Sequence, residues 1–292
     1  MTTSIIHDIG YRHYEGRRLG RGYVLRSLYV HNLRAAFGLG RPARAKVMPF
    51  LLAAIMLLPA VGVVAAVGLA GLDRPPIRYS QYAVSLQVII AIFLATQAPV
   101  LASRELRHRV VPLYFSRPVG HLDFVLAKLA ALATALFALM AVPITVMYIG
   151  SLVNKMPNAS RHLADYLTAL LGCVLFALVL AAIGMVVAAF TPRRGFGVAA
   201  VIAVYSLSAG FVLIVQGLAE AHTNFTLAGW MGLFTPFNLV DIVQVRLLGA
   251  EPSAVAVAPG VLGGLVALLL CGVLVAGSIP VLYRRFRKAG LS

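Results

Sequence analysis

Residues Tyr166 to Phe190 read YLTALLGCVLFALVLAAIGMVVAAF, a run without one charged side chain. A helix rises 1.5 Å per residue, so this stretch exceeds the roughly 30 Å of a bilayer's hydrocarbon core. Five further stretches are long and apolar enough for the same reading, near Val47 to Leu72, Tyr82 to Ala102, Leu122 to Gly150, Gly197 to Leu218 and Pro259 to Tyr283. Continuous apolar runs exclude the alternating pattern of barrel strands, which leaves helices as the structure that satisfies its own backbone in lipid. The expected fold is an all-α integral membrane protein with six transmembrane helices.

Composition agrees. Of 292 residues, 61% are hydrophobic and 12% charged, about half the charge of a soluble domain. The net charge of +16 is clustered between the apolar runs, where it speaks to orientation and anionic lipid; the basic face with interleaved aromatics that nucleic acid requires is missing. With six spans, 20 Lys and Arg fall on one side and five (Arg74, Arg78, Lys155, Arg161 and Arg246) on the other. Cytoplasmic loops carry the excess of positive charge. Residues 1–46 are therefore expected to form a cytoplasmic basic tail, 47–283 the membrane domain and 284–292 a second cytoplasmic tail. The site would be the plasma (inner) membrane of a bacterial cell. The polar start does not resemble a cleaved signal peptide, so the mature chain is expected to begin at Met1. Cys173 and Cys271 sit within apolar runs without metal-type spacing and read as small core residues.

Within the first tail, residues Gly22 to Phe37 carry helical periodicity. Leu25, Leu28, Tyr29, Leu33 and Phe37 share one face, and Ser27, His31 and Arg34 lie opposite. Asn32 falls on the apolar side, against the pattern. Flanking arginines give the segment the composition of an amphipathic helix lying among lipid headgroups, with Pro42 closing it before the first span. Between the fifth and sixth spans, Phe225 to Leu247 has the length of a seventh crossing, but it contains Asn238, Asp241, Gln244 and Arg246 and is interrupted by Pro236. A charge at mid-bilayer costs about 2.5–3.5 kcal/mol. A pair of short outer re-entrant helices is the expected form.

Chemistry is sparse at membrane depth. All seven histidines map to tails or loops, and no acidic residue lies mid-span, which disfavours an ion-driven carrier. The sequence has no H-E-x-x-H, no G-x-S-x-G and no G-x-x-x-x-G-K-[ST]. Neither an enzyme nor a resident cofactor or metal is expected, and any ATP-Mg would be bound by a partner subunit. Polar residues within spans two and five, chiefly Gln87, Gln97, Tyr205, Ser208 and Gln216, fit two readings: ordinary interhelical hydrogen bonds, or the lining of a path for an amphiphilic cargo.

The remaining feature is Ser103 to Lys128, SRELRHRVVPLYFSRPVGHLDFVLAK, a basic segment between spans two and three. Arg104, Arg107, Arg109 and Arg117 suit multi-donor contacts with carboxylates on a docking partner, or with lipid headgroups. Glu105 is the loop's only carboxylate before Asp123 and could pair with a basic residue of that partner. Arg104-Glu105, then Ser116-Arg117-Pro118-Val119, then Lys128 entering the third span, resembles the first cytoplasmic loop of the permease subunit of type 2 ATP-binding-cassette exporters. Arg109-Val110-Val111 departs from the Gly-Thr pair common there. The resemblance implies that two permease copies pair, homodimeric or heterodimeric, above two ATP-binding-cassette ATPase subunits, which this loop and the N-terminal helix contact. It implies export of a hydrophobic or amphiphilic compound. The alternative of another class is a membrane anchor or assembly factor that recruits a cytoplasmic partner and moves nothing.

Overall fold

A computed structural model describes residues 16, 19–72, 74–108, 110–115, 119–191, 194–253 and 260–290. Among the described residues the structure is helical and has no strands. Six helices or helix pairs are long and apolar enough to cross a membrane: Arg44–Ala70, Gln87–Arg107, His121–Val153, Ala159–Phe190, Gly195–Ala221 and Gly260–Gly290.

The chain begins with α1 (Arg21–Ala36), which turns at Gly38 into α2 (Arg44–Ala70). Gly38 stops α1 well before Pro42. Its φ of 67° lies in the left-handed region, and a Cβ there would stand 2.3 Å from the Ala45 carbonyl oxygen, so only glycine fits. The second span is broken at Leu86 into α3 (Tyr79–Ser85) and α4 (Gln87–Leu101). Two short helices follow, α5 (Ser103–Arg107) and α6 (Val111–Phe115).

Helices α7 (His121–Val153) and α8 (Ala159–Phe190) pack along one another and form the centre, with α4 against both. In these three spans 56–61% of the most apolar stretch is buried, against 17–28% in α2, α9 (Arg194–Ala221) and α12 (Gly260–Gly290). The latter three ring the core and turn most of their apolar surface outward, as a lipid solvent permits.

Between α9 and α12 lie α10 (Phe225–Met231) and α11 (Pro236–Leu247), bent by 119° at Thr235. Thr235 Oγ1 caps α11 by accepting from Asn238 N at 3.3 Å, with Pro236 at the first helical position. The pair is a sharply bent helix pair, broken where Pro236 stands in the sequence. Its buried Asp241 accepts from Ser253 N and Oγ at 3.2 and 2.8 Å, and Gln244 packs where Gly172 of α8 lacks a side chain. The basic residues Arg284 to Lys288, expected as a tail, continue α12 without a break as far as Gly290. Phe286, wholly buried, provides the reason.

Candidate functional site

The loop predicted to dock a partner is built from α5 and α6, and each is fastened to the core by a different chemistry. Ser103 opens α5 and donates its hydroxyl to the Ala188 carbonyl of α8 at 2.6 Å. Two residues on, the Glu105 carboxylate lies 2.8 Å from Lys128 Nζ in α7. Lys128 is completely buried. Desolvating an ammonium costs several kcal/mol unless its donors find partners. Here Nζ also donates to the Leu101 carbonyl at 2.5 Å and to Asn32 Oδ1 at 3.3 Å, and it stands 4.8 Å from the Phe124 ring centre. Leu101 ends α4, where carbonyls lack intrahelical partners and the helix dipole favours a cation. One buried amine thus joins α1, α4, α5 and α7.

In this arrangement Glu105, expected to meet a partner's basic residue, is engaged by Lys128 of its own chain. It also accounts for Asn32. On the apolar side of α1 that residue breaks the amphipathic pattern, yet it is buried, its Nδ2 donating to Leu28 O at 2.7 Å while its oxygen meets Lys128. Lys128 itself carried a readable signal, an ionisable residue seven positions into an apolar stretch. Counting it with the loop's positive charge concealed that signal.

A second ion pair fixes the start of α1. Arg21 holds Asp123 in a two-pronged contact, Nε to Oδ2 at 2.6 Å and Nη2 to Oδ1 at 2.7 Å, the planar geometry specific to guanidinium. Hydrogen bonding to that carboxylate raises the Arg21 pKa further above its ordinary value. Asp123 lies in the first turn of α7, where negative charge is favoured. Leu25, Leu28, Tyr29, Leu33 and Phe37 are all half-buried, with Tyr29, Leu33 and Phe37 packed on the protein core. The Tyr29 hydroxyl donates to Thr134 Oγ1 of α7 at 3.0 Å. The apolar face of α1 is therefore turned to the third span.

Helix α6 is held by aromatic rings. Phe115 stacks on His121 with centroids 3.9 Å apart and meets Phe124 edge-on at 5.5 Å; Phe124 meets Phe286 of α12 at 5.3 Å and Tyr114 at 5.2 Å. Burial, with Glu105 nearby, pushes the Tyr114 phenol above its ordinary pKa. A Cβ on Gly290 would come within 2.7 Å of Phe115, so the end of α12 closes against α6 at the distance of a bare backbone. Sequence periodicity does not reveal this cluster, because its rings come from three separated segments.

What remains outward is positive. Arg104 and Arg107 are exposed on α5 and, with Arg41, Pro42, Pro99 and His108, line a groove of about 400 Å³ between the start of α2 and the end of the second span. Leu113 is two-thirds exposed on α6. Arg109, Ser116, Arg117 and Pro118 lie outside the described residues.

The polar residues of spans two and five do not converge as a group. Gln87 is half-buried. Gln97 donates to its neighbour Thr96, and Ser208 to the Tyr205 carbonyl in its own helix. Gln216 donates to Ala228 O at 2.9 Å and ties α9 to α10. The Tyr205 hydroxyl is buried without a hydrogen-bond partner, its ring edge-on to Phe237 of the hairpin.

Residues 73–277, more than two thirds of the chain, match the family described as ABC-2 family transporter protein. The chain belongs to that family. Among curated proteins, none matches it. An ABC-2 permease is the membrane-spanning component of an ATP-binding-cassette transporter, distinct from the ATPase and associated with it. In this ABC-2 permease the family match contains both loop helices and the bent pair α10–α11. It leaves out Arg21, Asn32, Phe286 and Gly290, the residues that fasten the loop from the two ends of the chain.

Proposed function

We propose that this permease exports a hydrophobic or amphiphilic compound, driven by ATP-Mg bound in separate ATPase subunits that dock beneath α5, α6 and α1. The observation that carries the reading is the joint fastening of the loop. A displacement at α5 acts through Glu105 on Lys128 in the third span, and one at α6 acts through Phe124 and Phe286 on the third and sixth spans. Such a linkage passes a push into the membrane domain, while Arg104 and Arg107 stay exposed for carboxylates on the partner. The 20-to-5 distribution of Lys and Arg supports placing both termini and the loop in the cytoplasm. The weakly buried helices α2, α9 and α12 offer surface for a second permease copy as well as for lipid. Arg26 and Arg34, exposed on α1, suit headgroups of an anionic inner leaflet.

The test is co-purification of the tagged chain with an ATPase, followed by ATP-dependent loss of a labelled amphiphile from vesicles containing both. Charge reversal at Arg107 or Arg117 is expected to lower coupled ATPase activity and to leave membrane insertion unchanged. Failure to bind any ATPase overturns the docking reading. An ATPase that binds while no cargo moves replaces export with the anchoring role.

A further inference from the structure

The end of the molecule opposite the loop contains a cavity of about 120 Å³, walled by three segments distant in sequence: the turn from α2 to α3, the start of α8 and the residues after α11. About 10–15 Å³ holds one water, so the space accommodates a group of several heavy atoms. Its lining includes Arg74, Arg78, Arg161, His162, Asp165 and Glu251. Side chains of this kind are not the default here. Only five Lys and Arg lie on this side of the spans, and three of them face the one cavity.

The charges are not mutually cancelled. Arg78 Nε pairs with Glu251 Oε2 at 2.5 Å, and His162 Nδ1 lies 3.3 Å from the Tyr79 hydroxyl. Among the described residues no carboxylate pairs with Arg74 or Arg161, although Asp165 stands one turn after Arg161. Arg74 and Arg161, both exposed on the lining, are therefore open to an added partner, with Asp165 beside Arg161 and the third arginine held by Glu251. A cationic ligand would face three guanidinium groups, whereas a tetrahedral oxyanion offers acceptors to Arg74 and Arg161. The cavity sits where α2 ends and α8 begins.

We propose that this cavity binds a phosphate group, with Arg74 and Arg161 as its direct ligands and the Arg78–Glu251 pair as a fixed wall. Its outward placement rests on the topology proposed above; its chemistry does not. The source is either the headgroup of an amphiphile in the outer leaflet or free phosphate.

The experiment is isothermal titration of the full-length chain in uncharged detergent at low salt, with dihexanoyl phosphatidylglycerol, inorganic phosphate and dihexanoylglycerol as separate probes. Phosphatidylglycerol is expected to bind and dihexanoylglycerol not to. Arg74→Gln with Arg161→Gln should weaken binding tenfold or more, and Lys155→Gln, exposed on the same side but outside the cavity, should not change it. Comparable binding of inorganic phosphate identifies the phosphate group alone as sufficient, and binding of phosphatidylglycerol only identifies a headgroup. No binding of either, or equal binding by the double variant, overturns the proposal. Loss of wild-type binding with rising salt gives a readout independent of any variant. Labelling of Ser160→Cys by an impermeant thiol reagent tests the side separately: labelling from the cytoplasmic face alone would refute the topology and leave the phosphate site standing.

Discussion

Lys128 Nζ and the Glu105 carboxylate meet at 2.8 Å with no solvent on the lysine, so the loop and the third span share a buried ion pair. Removing one partner of such a pair leaves an uncompensated charge, at a cost of about 3–5 kcal/mol. Lys128→Met is expected to lower stability by that order in a thermal or denaturant titration of the purified permease. Pairing it with Glu105→Leu should restore most of the loss, because the two apolar side chains leave no stranded charge. If the restored double variant still binds the ATPase yet no longer stimulates it, the pair contributes to coupling as well as to folding.

Asn32 yields a prediction of opposite sign to the one helix periodicity makes. On an amphipathic helix resting on lipid, Asn32→Leu completes the apolar face and should stabilise. In the fold observed, the same change removes an acceptor from a buried ammonium, for a loss of about 1–3 kcal/mol. Thermal stability of the single variant in detergent decides between these, and a stabilised Asn32→Leu would mean that α1 does not rest on Lys128.

These two residues also show where sequence reasoning reached and where it stopped. The span count, the helix at Gly22 to Phe37 and the break between α10 and α11 follow from apolar run length, a 3.6-residue period and Pro236, all of them local signals. Fastening of the loop depends on partners drawn from distant segments: Arg21 with Asp123, Asn32 with Lys128, and Phe115 and Phe124 with Phe286. No local period encodes those contacts. An asparagine on an apolar face looked like an imperfection, and a lysine grouped with the loop explains it.

The aromatic cluster predicts how α6 is released. Phe286 is wholly buried and its ring closes the cluster from α12, so Phe286→Ala should cost about 3–5 kcal/mol. The loosening should be local first. Amides of Val111 to Phe115 are expected to exchange faster with deuterium while the middle of α7 keeps its protection. Uniform acceleration along α7 would instead indicate that Phe286 supports the whole bundle.

The bend at Thr235 bears on the side to which the last helix delivers its basic end. A straight crossing from Phe225 to Leu247 would carry Asp241 and Gln244 through hydrocarbon, whereas a re-entrant pair bent by 119° would return the chain to the face it left. Within the hairpin Asp241 is buried against Ser253, and Gln244 fits against the bare backbone of Gly172, where an added Cβ would lie 2.3 Å from the amide nitrogen. Gly172→Leu should therefore displace α11 at a cost of about 1–3 kcal/mol. Six crossings then leave Arg284 to Lys288 on the side of the N-terminus. Lys288→Cys, exposed near the end of α12, is expected to react with an impermeant thiol reagent only after the membrane is opened, the buried Cys173 and Cys271 staying silent. Reaction in intact cells would show that the hairpin crosses, and would move the end of α12 to the opposite face from the proposed docking loop.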